Sequence, residues 1–332
     1  METVTILITG ALGQIGSELA EKLKTIHGKN NVIISDIRDP KYVDYDGIYE
    51  VIDVLDTEKI KEVIAKHKIT TVYHLAALLS GTAEKNPMFG WKLNMDTLLT
   101  FLELAKDKVI TKLFWPSSIG VFGPDTPKEN TPQNTIQTPS TVYGISKLAG
   151  EYWCKWYQQN HGVDVRSVRF PGLISWKTPA GGGTTDYAVD IYYKAVEEGK
   201  YTSFLKEGTY LPMLYMDDAI DAIVELMDAD ATKLGEFKSY NLGGLSFAPE
   251  DLAAEIKKHI PEFTLDYAPD FRQAIADSWP SSIDDSVAKA NWGFSPKFDI
   301  DKMTTTMLEN LKIKLVKAEF STQYNILGML FD

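Results

Sequence analysis

The first half of the chain alternates between short apolar runs and longer stretches in which apolar residues recur at helical spacing. The runs are rich in β-branched residues, and they lie at residues 4–8, 32–36, 49–52, 70–75, 112–118 and 164–170. Helical spacing predicts helices at residues 15–26, 57–67, 88–106 and 142–160. Strands that alternate with helices in this way form a parallel sheet covered on both faces. We therefore predict an α/β fold with a doubly wound sheet of six parallel strands.

The pattern changes after residue 172. A glycine-rich stretch at residues 178–185 leads into a helix predicted near residues 186–198, and shorter mixed elements follow. We expect the following organisation: a large Rossmann-type domain of residues 1–172 with returns near 214–243, a smaller mixed α/β lobe of residues 173–213 and 244–312, and a C-terminal tail of residues 313–332.

Three glycines, Gly10, Gly13 and Gly16, separate the first predicted strand from the first predicted helix. The pyrophosphate of a dinucleotide binds where backbone N–H groups at a helix N-terminus point outward, and a turn without Cβ atoms lets it approach. We expect this turn, which includes Gln14 and Ile15, to bind a dinucleotide.

Asp36 stands at the carboxyl end of the second predicted strand. A carboxylate there can accept hydrogen bonds from both ribose hydroxyls of the adenosine and would repel a 2′-phosphate, which favours NAD over NADP. Arg38 is a contrary signal, because a guanidinium at that point could pair with the phosphate of NADP. On balance we predict NAD as the cofactor.

The composition narrows the function classes. The chain has 332 residues, an apolar content of 44% and a formal net charge of −12, which disfavours a nucleic acid or an anionic membrane as partner. The single cysteine, Cys154, excludes an internal disulfide and a cysteine cluster for zinc, so we expect no metal centre. No apolar run has the length of a membrane span. We expect a cytoplasmic protein, or a mitochondrial matrix protein if a transit peptide precedes residue 1.

The candidate catalytic groups are hydroxyls at the end of the fifth predicted strand and a tyrosine and a lysine on the following helix. Tyr143 and Lys147 are four residues apart and therefore share one helix face. A tyrosine with an ordinary pKa of about 10 must be lowered by about 3 units, roughly 4 kcal/mol, to act as a base near neutral pH. The ammonium of Lys147 and an oxidised nicotinamide are cations that can supply this, and Lys147 can also donate to the nicotinamide ribose.

Together these motifs resemble the extended short-chain dehydrogenase/reductase family over residues 4 to about 172. The motifs that carry the resemblance are Gly10-x-x-Gly13-x-x-Gly16, Asp36, Asp53-Val54, residues 74–77, Asn94, Ser117-Ser118 with residues 121–123, Tyr143-x-x-x-Lys147 and residues 169–172. The resemblance implies that Ser118 is the catalytic hydroxyl beside Tyr143 and Lys147. It also implies a set of cofactor contacts in Asp53, Val54, Leu75, Ala76, Ala77, Asn94 and Ile174. We expect His74, within the same segment, to be a packed strand-end residue and not a base.

The second half distinguishes among the branches of this family. A sugar nucleotide brings a second diphosphate, which arginines usually bind, and only Arg272 of the four arginines lies beyond residue 170. Residues 78–81, 179–190 and 267–280 instead resemble the branch that oxidises L-threonine. That resemblance implies that Ser80, Thr184 or Thr185, and Trp279 contact a small amino acid.

The expected reaction is NAD-dependent oxidation of the β-hydroxyl of L-threonine to 2-amino-3-oxobutanoate, with Tyr143 as the base. A nucleotide-sugar 4-epimerase or dehydratase is the alternative within the family. A redox-sensing binding protein is the alternative outside catalysis, and the presence of Ser118, Tyr143 and Lys147 argues against it.

Two further expectations concern assembly and motion. Helices 88–106 and 142–160 carry more apolar surface than one sheet face needs, and the family resemblance implies that this pair forms a homodimer interface. The glycine-rich loop at residues 178–187 is expected to close over the substrate and exclude water.

Overall fold

A computed structural model of the chain describes residues 4–179 and 181–329, with side chains except at residues 42 and 316–329. Residue 180 of the glycine-rich loop, residues 1–3 of the expected large domain and residues 330–332 of the expected tail lie outside the described residues.

The strands form one large parallel sheet and two small sheets. In chain order they are β1 (Ile6–Thr9), β2 (Val32–Asp36), β3 (Ile48–Val51), β4 (Thr71–His74), β5 (Lys112–Phe114), β6 (Ser117–Ser118), β7 (Asp164–Phe170), β8 (Gly172–Ile174), β9 (Lys200–Ser203), β10 (Leu211–Tyr215), β11 (Ser239–Asn241), β12 (Leu245–Phe247) and β13 (Thr264–Tyr267). The large sheet has the order β11-β7-β5-β4-β1-β2-β3, with β6 paired to β7. Reversal of strand order between β1 and β4 is the mark of a doubly wound sheet, so the predicted fold class is confirmed. The sheet has eight strands instead of the predicted six, because residues 112–118 form two strands and β11 pairs with β7 at the edge.

The helices pack on both faces of the large sheet and around the small sheets. They are α1 (Gln14–His27), α2 (Thr57–His67), α3 (Ser80–Lys85), α4 (Pro87–Lys106), α5 (Val142–His161), α6 (Tyr187–Glu198), α7 (Met216–Asp228), α8 (Ala231–Leu234), α9 (Pro249–His259), α10 (Arg272–Ser278), α11 (Ser286–Trp292) and α12 (Ile300–Met329). Successive residues of β1 point to opposite faces: Ile6 and Ile8 pack with α1 and α7, and Leu7 packs with α2, α4 and α5.

One predicted strand is interrupted. Residues 112–118 were expected to form a single strand, but β5 ends at Phe114 and β6 begins at Ser117. Pro116 has no N–H group to donate to the neighbouring strand, so the ladder breaks there. This break leaves the Pro116 carbonyl free to accept a side-chain hydrogen bond, which proves important for the site.

The small sheets belong to the second half of the chain. β8 and β12 flank β10, β8 being parallel and β12 antiparallel to it, and β9 pairs in parallel with β13. α12 runs without a break through residue 313, where the C-terminal tail was expected to begin. Across residues 4–179 and 181–329, no helix combines the length and the apolar character needed to cross a membrane.

Candidate active site

The turn between β1 and α1 packs so closely on its surroundings that two of its glycines leave no room for a side chain. Gly10 has a φ of +66°, and a methyl group on it would lie 2.7 Å from the Cα of Ala76. A methyl group on Gly16 would lie 2.6 Å from the Cα of Ala11. Gly13 is the residue before α1, so the first N–H groups of the helix are available at the turn. The turn thus has the shape and polarity that a pyrophosphate requires.

Asp36 lies at the end of β2 and next to this turn. Its carboxylate accepts hydrogen bonds from the N–H groups of Leu12 (3.3 Å) and Ile37 (2.9 Å). The Nε of Arg38 lies 3.6 Å from Oδ1 of Asp36, and its Nη1 donates to the carbonyl of Leu12 at 3.3 Å. The guanidinium is therefore a neighbour of the carboxylate that an adenosine ribose would meet.

The segment after β4 is held by a side chain from α4. The Asn94 amide accepts from the N–H of Leu78 (2.8 Å) and donates to its carbonyl (3.1 Å), and it also lies 3.3 Å from Ser146 Oγ. Asn94 is buried, and its amide fixes the backbone directly after residues 75–77. Asp53 and Val54 follow β3, with Val54 buried and Asp53 exposed.

His74, at the end of β4, is a packed residue as expected. Nδ1 lies 2.8 Å from Thr9 Oγ1, Nε2 lies 2.8 Å from Thr97 Oγ1, and the ring packs against Phe101 at a tilt of 43°. Burial lowers the pKa of His74 to about 3, which makes it a neutral core residue at physiological pH.

Three predicted catalytic side chains converge at the end of β6. Ser118 ends that strand, Tyr143 lies in the first turn of α5, and the two side chains are hydrogen-bonded. Lys147 follows one turn later, and its Nζ donates to the carbonyl of Pro116 at 2.6 Å. The same Nζ lies 5.6 Å from the centre of the Tyr143 ring.

The pKa of Tyr143 differs from the value expected of a base. Burial raises the pKa of Tyr143 to about 12, and the hydrogen bond with Ser118 offsets this only in part. Burial lowers the pKa of Lys147 to about 7. The expected lowering of the tyrosine pKa is therefore not produced by the chain alone, because desolvation of the phenol outweighs the hydrogen bond with Ser118.

Behind this group lies a buried ion pair that the sequence analysis missed. Glu151 is one further turn along α5, accepts a hydrogen bond from Ser117 Oγ at 2.6 Å and pairs with Arg169 Nη2 at 2.7 Å. The signal was present in the sequence, since residues 143, 147 and 151 continue one helix face. The pair ties α5 to β6 and β7 and so holds Tyr143 and Lys147 against Ser118.

The predicted substrate residues come from separate elements. Ser80 is buried and begins α3, and a methyl group on the adjacent Gly81 would lie 3.6 Å from the carbonyl oxygen of Gly182, at the tip of the glycine-rich loop. Thr184 is buried and Thr185 is half-buried.

Two other predicted residues lie in one hydrophobic cluster. Ile174, at the end of β8, and Trp279, directly after α10, are both buried there together with Ile119 and Val121. Because Ile119 directly follows Ser118, this cluster supports the end of β6 where the catalytic side chains meet.

The arginines beyond α5 are all engaged elsewhere. Arg166 binds Asp164 and carbonyls at the end of α7, and Arg169 binds Glu151. Arg272 pairs with Asp270 at 2.6 Å and lies 3.2 Å above the centre of the Phe204 ring. The second half therefore offers no free guanidinium, among its described residues, for a second diphosphate.

Comparison with known proteins decides the family. Residues 6–243 match the model of the NAD dependent epimerase/dehydratase family. The chain belongs to this family. Its NAD dependence agrees with the glycine turn and with Asp36, and NAD is the cofactor of this epimerase/dehydratase-family oxidoreductase.

Similar members of the NAD dependent epimerase/dehydratase family include solved structures. A GalE-like L-threonine dehydrogenase from Cupriavidus necator, in its holo form, is 55% identical, with a TM-score of 0.91 over 93% of this chain and 100% of that one. A monomeric L-threonine 3-dehydrogenase from a metagenome is 50% identical, with a TM-score of 0.89 over 93% of this chain and 99% of that one. A Staphylococcus haemolyticus protein described as an uncharacterized epimerase/dehydratase is 53% identical over 93% of this chain and 98% of its own length.

Proposed function

We propose that the chain catalyses the NAD-dependent oxidation of L-threonine at its β-hydroxyl, which yields 2-amino-3-oxobutanoate. The observation that carries the proposal is the convergence of Ser118, Tyr143 and Lys147 beside a lobe whose single arginine, Arg272, is paired with Asp270. Two similar structures are described as threonine dehydrogenases, which supports the same substrate.

The residues present fit NAD. The turn with Gly10, Gly13 and Gly16, which includes Gln14 and Ile15, would hold the pyrophosphate, and Asp36 would accept the adenosine ribose hydroxyls. Arg38 would stay beside Asp36 as its counter-ion. The remaining contacts are proposed for Asp53 and Val54 at the adenine, and for residues 75–77 and Ile174 toward the nicotinamide. When bound, NAD supplies a hydride acceptor and a positive charge.

The protein side chains supply the proton chemistry. Tyr143 accepts the proton of the β-hydroxyl while Ser118 donates a hydrogen bond to the same oxygen. Without the cofactor, burial raises the pKa of Tyr143 to about 12. The phenol therefore needs the positive charge of bound NAD nearby before it can act as a base. Lys147, whose pKa is lowered to about 7, is close enough to the phenol to favour its ionised form whenever the ammonium is charged.

The substrate contacts are proposed to come from both halves of the chain. Ser80 with Thr184 or Thr185 would bind the carboxylate and the ammonium of threonine, and Trp279 would exclude water. In this scheme residues 173–213 and 244–312 act as the substrate lobe. Hydrogen exchange in loop 178–187 should slow when NAD and threonine are both present. Unchanged exchange would argue against closure of the loop.

A direct assay tests the proposed function. Purified protein with NAD and L-threonine should form NADH, and Tyr143→Phe should reduce the rate by about 10²–10⁴-fold because the base is removed. Tyr210→Phe, at an exposed tyrosine outside α4 and α5, is the matched control and should keep full activity. Failure with threonine combined with interconversion of UDP-glucose and UDP-galactose would instead identify a nucleotide-sugar 4-epimerase.

We also infer a homodimer that forms through α4 and α5. Large apolar side chains are exposed on these helices, among them Met88, Phe89, Tyr152, Trp153 and Trp156. Contiguous apolar surface of this kind is typical of an interface. By contrast, the similar L-threonine 3-dehydrogenase from a metagenome is described as monomeric. Sedimentation should show a dimer that Trp156→Glu dissociates, whereas Ile313→Glu, at an exposed position on α12, should leave the dimer intact.

The cellular location is part of the same proposal. A reducing compartment such as the cytoplasm suits a chain whose one cysteine, Cys154, is buried and unpaired.

A further inference from the structure

A carboxylate lies on the core face of the helix that follows the glycine turn. Glu18 belongs to α1 and is only 7% exposed, and its neighbours Leu19 and Ala20 are buried core residues. A buried carboxylate is costly unless charged and hydrogen-bonding partners compensate for the lost water. An apolar residue would suit this position if packing were its only requirement.

The partners of Glu18 come from the segment after β8. Ser175 Oγ donates to Glu18 Oε1 at 2.5 Å, and Lys177 Nζ donates to Glu18 Oε2 at 2.8 Å. The N–H of Lys177 also donates to Ser175 Oγ at 3.1 Å, which closes a small network. Ser175 directly follows Ile174, the residue proposed to face the nicotinamide.

The same segment is held from the opposite side. Lys314 Nζ, on α12, donates to the carbonyl of Lys177 at 2.8 Å, and the Tyr193 hydroxyl donates to the carbonyl of Trp176 at 2.8 Å. Residues 175–177 are therefore fixed between α1 on one side and α6 and α12 on the other. We call this segment the loop base, because the glycine-rich loop begins directly after it.

The tip of the loop has a different environment. Gly183 donates to Oδ2 of Asp186 at 2.7 Å, a bond within the loop itself. Gly182 has a φ of +93°, and a methyl group on it would find no heavy atom within 4 Å. The loop base is thus bonded to other elements, whereas the hydrogen bond of Gly183 stays within the loop.

We propose that Glu18 is a positioning residue that couples the cofactor helix α1 to the loop base. The part of this inference that is tested by the KM for threonine rests on the proposed function. The pyrophosphate would bind at the N-terminus of α1, and Glu18 lies about one turn into that helix. Through Ser175 and Lys177 it sets the orientation from which residues 184 and 185 reach the substrate. Cofactor binding thereby orders the substrate loop without a direct contact between them.

Two substitutions at Glu18 and one matched control test this coupling. Glu18→Ala removes the carboxylate to which Ser175 and Lys177 donate. Glu18→Gln keeps an acceptor for Ser175 but loses the negative charge opposite Lys177. Glu21→Gln makes the same chemical change on the same helix at an exposed residue that pairs with Lys24. Thermal unfolding and circular dichroism identify any variant that fails to fold.

The expected result is a separation of two binding constants. Coupling of this kind is typically worth 5- to 150-fold, so Glu18→Ala should raise the KM for threonine roughly 10-fold or more, with the Kd for NAD changed less than about 3-fold. Glu18→Gln should fall between Glu18→Ala and the parent protein, and Glu21→Gln should match the parent. Hydrogen exchange at residues 175–187 should slow on addition of NAD in the parent but not in Glu18→Ala.

Two outcomes would overturn the proposal. Equal weakening of NAD and threonine binding would indicate general damage to the cofactor helix, and unchanged exchange protection in Glu18→Ala would show that no coupling passes through the carboxylate. The exchange measurement needs only NAD. It therefore tests Glu18 even if threonine proves not to be the substrate, and the two failures can be told apart.

Discussion

Two glycine-rich stretches border the candidate site, and their surroundings differ. A methyl group on Gly10 or Gly16 would lie within 2.7 Å of backbone atoms, whereas one on Gly182 would meet no heavy atom within 4 Å. The first stretch is glycine because helix, strand and neighbouring loop approach too closely for a Cβ. At Gly182, in the second stretch, the space is open, and the glycine suits a backbone conformation that other residues avoid. One residue type thus permits close packing in the first stretch and an unusual backbone conformation in the second.

The largest expected effect follows from adding a methyl group to the packed stretch. Gly16→Ala should weaken NAD binding by more than about 100-fold and lower the free energy of unfolding by about 1–3 kcal/mol, because the new Cβ collides with the backbone. Calorimetric titration with NAD and urea unfolding measure both quantities. Gly181→Ala, at a position with an ordinary φ and no heavy atom closer than 3.9 Å, is the control for adding a methyl group without a collision. Normal NAD affinity in Gly16→Ala would show that close packing is not what requires glycine in the first stretch.

The burial of His74, near the first glycine stretch, also predicts that stability depends on pH. The folded protein holds the pKa of His74 near 3, below the ordinary value of 6.5, because the ring is buried. Between these values the unfolded chain binds a proton that the native chain does not, so stability falls as the pH falls. The loss should be about 2 kcal/mol between pH 7.5 and pH 5. Urea unfolding at both pH values tests this, and His74→Gln should lose that part of the dependence. An imidazole that titrates near 6.5 by NMR would mean that water enters this region.

An intermediate effect is expected at the open stretch. Gly182→Ala should cost about 1–2 kcal/mol locally, because its φ of +93° suits glycine and disfavours alanine. The strain should appear as a several-fold higher KM for threonine, since the loop closes less readily. The Kd for NAD is the internal control and should stay the same. A parallel rise in both constants would contradict the idea that the strain is confined to the tip of the loop.

The smallest effect is expected one residue earlier in the loop. Gly181 has an ordinary φ, and a methyl group on it would make only a van der Waals contact, 3.9 Å from Oδ2 of Asp186. Gly181→Ala should change the free energy of unfolding by less than about 0.5 kcal/mol. Comparison of thermal unfolding for Gly181→Ala and Gly182→Ala measures the strain directly. Equal losses in the two variants would show that loop flexibility, and not φ, is what glycine provides here.

Much of the fold was predictable because its signals are local. The spacing of apolar residues predicted α2 at the observed bounds, and it predicted α4 and α5 to within one residue at each end. The doubly wound sheet and the NAD cofactor were confirmed, since a glycine turn between a strand and a helix and an acidic strand end are both readable from neighbouring residues. Tyr143 and Lys147 share one helix face because a spacing of four residues requires it.

Other features depend on residues far apart in the chain. Lys147 donates to Pro116, Glu151 pairs with Arg169, and Glu18 reaches Ser175 across 157 positions of sequence. No periodicity or short motif predicts such contacts. The break between β5 and β6 was missed as well, although Pro116 was visible, because the effect of its missing N–H depends on whether a neighbouring strand lies beside it.

The pKa values show most clearly where local information ends. Residue types and their spacing identify a tyrosine, a lysine and a serine that can work together, because helix geometry and hydrogen-bonding capacity are properties of a short segment. Burial is a property of the whole molecule, because it depends on every element that packs over a side chain. That burial raises the pKa of Tyr143 to about 12 and lowers the pKa of Lys147 to about 7. The sequence therefore identifies the candidate catalytic groups. The packing of distant segments around them sets the charge that each group carries.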